Sequence, residues 1–302
     1  MLEKKSELIA IYNEGERLVP GETHDRDEVV RHKSSYEFFC RVIERDILND
    51  PSILLNGLTV LDIGSGTGHG TFMLSRIPGV KVLGIEPGVE AIEYARRNYS
   101  ADNIGYINVS LDEFVNEADK FDYIVSRHAL EHVVDGLNKA LEIRFCKRLM
   151  VNVPFNENDR NPFHLVHWIT EENFKLYNNK EFFYESMSGE TSLTRSECNP
   201  PNSIVCVSSA VGMVKVCDML TFPFPPWHPE FLQELGLTLL ADNLVESKAR
   251  LIALEAALAS REAELASREA ELASREAQLL SRISAFDSNK SVKLLRAFKL
   301  LR

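Results

Sequence analysis

Residues 60–76 read VLDIGSGTGHGTFMLSR. An apolar strand carries Asp62, glycines follow at alternate positions 64, 66, 68 and 70, and an amphipathic helix begins at once. Glycine tolerates positive φ and lacks a Cβ, so such a turn folds tightly and lets a ligand lie against main-chain N–H groups. Twenty-four residues beyond Asp62, the apolar run KVLGIE ends in Glu86, a carboxylate able to accept both hydroxyls of a ribose. Together these features imply a ligand bearing a nucleoside.

Spacing narrows the nucleoside. Dinucleotide binders use G-x-G-x-x-G, whose third glycine falls here on His69. The fit is instead to E/D-x-G-x-G-x-G, and it resembles the first motif of the class I S-adenosylmethionine-dependent methyltransferases. That resemblance implies S-adenosylmethionine as cofactor, with Asp62, Gly64, Ser65, Gly66 and Gly68 around its methionine end and Glu86 on its ribose. Segment YINVSLDEF (106–114) resembles the family's third strand and following turn, which puts Ser110, Leu111 and Asp112 beside the adenine. FDYIVSRHALEHV (121–133) resembles the fourth strand, with Ser126 in the cofactor set, and the loop beneath the substrate. RLMVNVPF (148–155) and NPFHLVHWITEENFKLY (161–177) resemble the fifth strand and the chain after it. Upstream, GERLVPGETHDRDEVVRHKSSYEFF (15–39) is similar to the N-terminal part of bacterial polysaccharide-cluster methyltransferases of O-antigen type.

The coarse pattern agrees with one α/β core and an appendage. Strands are expected at 59–63, 81–86, 104–109, 121–126 and 148–153, with helices such as 89–99 and 137–146 between them. Runs 181–186 and 203–210 supply a sixth and a seventh strand, the last antiparallel by resemblance. The expectation is a doubly wound, mostly parallel seven-stranded sheet of Rossmann-like type plus a long C-terminal helix. Its parts are a helical cap (1–50), the cofactor-binding domain (51–212), a Pro/aromatic linker (213–236), a heptad helix (237–287) and a basic tail (288–302). Ligand belongs at the carboxyl ends of the parallel strands.

The 302 residues are 44% hydrophobic, ordinary for a globular chain. No stretch reaches the roughly eighteen apolar residues of a membrane span, and the N-terminus lacks a signal-peptide core, so a cytoplasmic location is expected. Five cysteines without a C-x-x-C pair read as reduced thiols.

Methyl transfer to oxygen gains from a base that removes the acceptor's proton. The loop RHALEHV offers His128, Glu131 and His132, with His132 the first candidate and His128 the second, closer to the strand end. Either histidine could instead cap the helix that follows. The same three residues could hold a divalent ion, as in quinone-pathway methyltransferases that this loop resembles. Those carry an acidic residue where this chain has His128, which disfavours a hard, oxygen-ligated ion such as Mg²⁺. His164 and His167 are candidates for substrate contact, and Arg17 for closing over cofactor or acceptor.

TFPFPPWHPEF (221–231) is too rich in proline for a helix and reads as a stiff strap. Beyond it ASREAEL occurs at 259–265 and 266–272, ASREAQL follows at 273–279, and leucines recur every seventh residue from Leu244 to Leu279. Such a period marks a helix offering one seam for self-association or a partner helix through 244–286. Arginine and glutamate fill most companion positions, so the seam is imperfect, while Glu264 with Arg268 and Glu271 with Arg275 support the helix itself. The net charge is −11, yet Lys290, Lys293, Arg296, Lys299 and Arg302 put five positive charges in 288–302, leaving −16 for the rest. Apolar residues between those bases suit an anionic membrane surface or a groove on a protein. The acidic remainder argues against nucleic acid. The expected function is O-methylation of a sugar hydroxyl on a surface glycan or its lipid-linked precursor, at the inner face of the membrane. The alternatives are a small-molecule acceptor or a non-catalytic scaffold for glycan assembly.

Overall fold

A computed structural model describes residues 9, 11, 17–19, 26–55, 57–116, 120–158, 161–198, 200–227, 237–288 and 290–298. The chain forms two compact units, Met1–Glu234 and Leu235–Arg302. In the first, one sheet runs in the order β3-β2-β1-β4-β5-β8-β6-β7. Its strands are β1 (Leu58–Ile63), β2 (Val80–Glu86), β3 (Ile104–Asn108), β4 (Phe121–Arg127), β5 (Phe145–Pro154), β6 (Lys180–Ser186), β7 (Thr191–Ser192) and β8 (Pro201–Ser209). Neighbours from β3 to β5 pair in parallel, whereas β8 is antiparallel to both β5 and β6. The central strands are buried on both faces, which is why they read as nearly unbroken apolar runs. The chain order of β1, β4 and β5 brings the ends of these strands together at the point where the order reverses, the usual place for a ligand crevice.

Two expectations are corrected. The described sheet has eight strands, because the two-residue β7 adds to β6 through Tyr184 and Glu185, a contact too short to leave a pattern in sequence. The helix expected over 137–146 is only α5 (Gly136–Ala140); Phe145 and Cys146 enter β5, with Phe145 opposite Phe121. Pairing with β4 there overrides local helix preference.

Helices α1 (Arg26–Asn49), α2 (His69–Ser75), α3 (Val89–Asn98), α4 (Leu111–Phe114) and α6 (Val216–Met219) complete the first unit. α1 buries Tyr36, Phe38, Phe39, Val42, Ile43 and Ile47. It meets α2 at Gly70, where a Cβ would stand 2.0 Å from Tyr36 Cζ, so the ring occupies the space that glycine leaves. The described part of the Pro/aromatic strap, to Trp227, lies on this unit: Phe224 exchanges main-chain hydrogen bonds with Thr191, Phe222 stacks on Phe183 at 5.1 Å, and Trp227 N donates to Ser34 Oγ. Residues 228–231 of the strap lie outside the described residues.

The second unit holds α7 (Leu237–Ser288) and α8 (Lys290–Ala297). At about 1.5 Å per residue, α7 is about 78 Å long. Glu264–Arg268 and Glu271–Arg275 pair at 2.7 Å, and Leu258, Leu265, Leu272 and Leu279 are exposed. Lys299 and Arg302 of the basic tail lie outside the described residues. Among the described residues, no helix is long and apolar enough to cross a membrane.

Candidate functional site

The turn after β1 is built on positive φ: 72° at Gly64, 51° at Gly66 and 87° at Gly68. Each glycine serves a different need. A Cβ on Gly64 would lie 2.2 Å from that of Ala129, so the loop after β4 passes directly over it. Gly68 faces Tyr106 Oη and the Ala95 Cβ, at 2.6 and 2.7 Å from where its own Cβ would be, which is close packing of protein on protein. Only Gly66 opens on space, with nothing within 4 Å, as a backbone cradle for a ligand requires.

That space belongs to a cleft of about 880 Å³, near the top of the range for small-ligand sites. Gly64, Ser65, Gly66, Glu86, Ser110, Leu111 and Asp112 line it. Glu86, at the tip of β2, is buried, and its carboxylate is held by main-chain N–H groups: Gly88 N to Oε1 at 2.8 Å and Gly66 N to Oε2 at 3.1 Å. Arg17 also reaches Oε1, through Nε at 2.8 Å and Nη2 at 2.6 Å. Ser110 caps α4 reciprocally with Glu113, which fixes the wall formed by Leu111 and Asp112.

Asp62, Gly68 and Ser126, expected among the cofactor contacts, do not line the cleft. Asp62 lies fully buried below the turn, where Oδ1 accepts from Tyr36 Oη at 3.1 Å and Oδ2 from Thr71 Oγ1 at 2.6 Å. Burial raises its pKa to about 6 against those two hydrogen bonds. Ser126 is fully buried and donates to the Ile63 carbonyl.

A 3-10 turn over Leu130–His132 follows β4, and its Glu131 carbonyl accepts from Leu165 N and Val166 N. The chain beyond β5 is thereby tied to this turn, and it brings His164, Asn161 and Phe163 to the same end of the cleft. Hydrogen bonding fixes the tautomers. The Phe163 carbonyl can only accept, so His132 donates to it through Nδ1–H, 2.9 Å away. Phe163 N donates to Asn161 Oδ1, which turns Asn161 Nδ2 toward His164 Nε2 at 3.2 Å; His164 therefore donates through Nδ1 to Glu157 Oε2 at 2.5 Å. His128, at φ 48°, pairs through Nε2 with Ser203 Oγ at 2.9 Å and sets Nδ1 3.9 Å from Glu131 Oε1. Burial, aided by Arg127, pushes the His128 pKa well below its usual value, so this imidazole is neutral at pH 7.

Glu131, His132 and His164 each offer one ligand atom, all within 4.8 Å of one another. Two imidazole nitrogens and a carboxylate suit a borderline ion better than Mg²⁺. The His164 lone pair already accepts from Asn161, however, so an ion would have to turn that amide away. The triad that the structure gathers differs from the one read in the loop, with His164 in the place of His128.

The remaining wall was not legible in the sequence. α1 contributes Glu28, His32 and Tyr36, and the end of β4 contributes Arg127. Burial opposes ionisation of Glu28, but Arg127 and Arg31 outweigh it and hold its pKa below the usual value. Arg127 sits at a strand end, beside a residue that was singled out; nothing in spacing marks Glu28, His32, Glu157 or Asn161.

Residues 60–168 match a family model described as a methyltransferase domain. Ubiquinone biosynthesis O-methyltransferase, mitochondrial, of Rattus norvegicus is 40% identical over 91 residues, covering 28% of this chain and 26% of that protein. A ubiquinone biosynthesis O-methyltransferase of Bradyrhizobium diazoefficiens is 35% identical over 100 residues, 32% of this chain and 37% of that protein. The chain thus spans well under half the length of these relatives. Among solved structures, a SAM-dependent methyltransferase from Archaeoglobus fulgidus aligns over 56% of this chain and 94% of its own, with 13% identity and a TM-score of 0.39.

Proposed function

We propose that this chain, which carries a methyltransferase domain of the class I S-adenosylmethionine-dependent fold, methylates a hydroxyl oxygen of an acceptor bound beside His132. S-adenosylmethionine is the cofactor of such a domain, and it supplies a sulfonium methyl group to a nucleophile. The observation that carries the reading is the open backbone at Gly66 joined to the Glu86 carboxylate through a hydrogen bond of 3.1 Å. An uncrowded backbone turn that holds a strand-end carboxylate in place is what a nucleoside ribose needs.

The protein's part is alignment, desolvation and proton removal. Ser110, Leu111 and Asp112 form the wall beside the nucleoside end, and Gly64, Ser65 and Gly66 the floor. His132 is the base: its Nδ1–H donates to the Phe163 carbonyl, which orients the ring so that Nε2 is the atom to take the acceptor's proton. His128 is anchored through Nε2 to Ser203 Oγ, which ties the start of this loop to β8.

Two acceptor classes are supported by different observations. The relatives named ubiquinone biosynthesis O-methyltransferases favour a hydroxyl on a small organic molecule. The resemblance of 15–39 to polysaccharide-cluster enzymes, and a basic amphipathic tail suited to an anionic membrane, favour a sugar hydroxyl of a lipid-linked glycan. Incubation with methyl-labelled cofactor and either a panel of small phenols and alcohols or envelope glycolipid extract, followed by mass analysis, separates the two. Absence of cofactor binding by calorimetry would leave only a scaffold role.

A further inference from the structure

We propose that Arg17 is an autoinhibitory latch on Glu86, which the cofactor's ribose must displace; this rests on the reading of Glu86 as the ribose acceptor. A carboxylate offers about four acceptor positions, two on each oxygen. Oε1 takes three donors: Gly88 N at 2.8 Å, Arg17 Nε at 2.8 Å and Arg17 Nη2 at 2.6 Å. Oε2 takes one, Gly66 N at 3.1 Å. A vicinal diol placed across the carboxylate needs a free position on each oxygen. Oε2 has one and Oε1 has none.

The two main-chain donors are fixed by the β1 and β2 turns, so Arg17 is the donor that can yield. Its guanidinium is incompletely satisfied in this pose, since Nη1 is buried without a hydrogen-bond partner. The attachment of its neighbours does not depend on it. Leu18 O accepts from Thr67 Oγ1 at 2.6 Å, and Val19 is buried against Ala91. The side chain can therefore leave Glu86 while Leu18 and Val19 stay docked. An ion pair that must break before binding reverses an ordinary expectation: removing the arginine strengthens cofactor binding.

Calorimetric titration of the full chain with S-adenosylmethionine and with its demethylated product, in 50 mM and 500 mM salt, tests this. The Arg17→Ala variant should bind roughly 3- to 30-fold more tightly than the wild type at low salt. The same order should hold at both salt concentrations, because the ion pair is nearly buried and little screened. Arg17→Lys, charged but unable to make the forked contact, should fall between them. Equal or weaker binding by Arg17→Ala, with its thermal unfolding unchanged, overturns the latch and makes Arg17 inert or a cofactor contact. Should neither protein bind either ligand, the ribose reading fails and the latch fails with it.

Discussion

Tyr36 donates its phenol hydroxyl to Asp62 Oδ1 at 3.1 Å, and its ring fills the space above Gly70. One side chain of the N-terminal helix thus braces both the strand before the glycine turn and the helix after it. The geometry of the cradle depends on a residue that itself only edges the cleft.

Gly70→Ala should therefore destabilise the fold. Its Cβ would enter the Tyr36 ring, and overpacking of this kind costs about 1–3 kcal/mol, with more where no shift relieves it. Urea unfolding measures the loss. A second change, Tyr36→Leu, should recover part of it; no recovery would mean that the ring is not the obstacle.

The stability that buried neutral imidazoles contribute should decline as the pH falls from about 6.5 to about 4. Burial lowers the pKa of His69 to about 4 and takes His32 and His128 well below their usual value. For each, the unfolded chain takes up a proton first, so the contribution is complete above 6.5 and is lost toward the folded pKa. His69 alone corresponds to on the order of 3 kcal/mol. Asp62 acts oppositely: its folded pKa is raised to about 6, so its contribution is present below 3.8 and lost as the pH rises through 6. Burial also raises the pKa of Glu37, Glu44 and Glu185, which act in the same sense as Asp62, so the histidine contribution is read as the difference between the wild type and His69→Gln. Urea midpoints of the wild type and His69→Gln should diverge between pH 7 and 5, the wild type losing more; parallel curves would refute the assignment.

Glu86→Ala should weaken cofactor binding by about 10-fold or more, because the acceptor for the ribose hydroxyls is gone. Unaltered affinity by calorimetry would remove its ribose role.

His132→Ala should leave cofactor affinity intact and lower kcat by roughly 10²–10⁴-fold, the usual range for a general base. A kcat within a few-fold of the wild type would assign the histidine to loop structure instead.

Turnover should survive exhaustive dialysis against a chelator. The His164 lone pair is engaged by Asn161, so an ion bound by this cluster would first have to displace that amide. Abolished turnover that returns with an added transition ion would make the cluster a metal centre.

The motif from Asp62 to Gly68, the run ending in Glu86 and the strand pattern could be read from sequence because each is local: a turn needs glycine where φ is positive, and a doubly buried strand needs unbroken apolar residues. Even there, spacing treated three glycines as equivalent. Only the fold separates Gly66, open to the cleft, from Gly64 and Gly68, which admit Ala129 and Tyr106.

The amino-acid order by itself thus determined the parallel strands, the position of their crevice, and the glycine turn and Glu86 that line it. Tertiary structure alone decided which imidazole nitrogen donates, that Asp62 braces rather than lines the cleft, and that Arg17 reaches Glu86 across 69 positions of chain. Proton placement and charge pairing depend on which groups meet in space, and those partners come from segments whose separation along the chain carries no periodic signal.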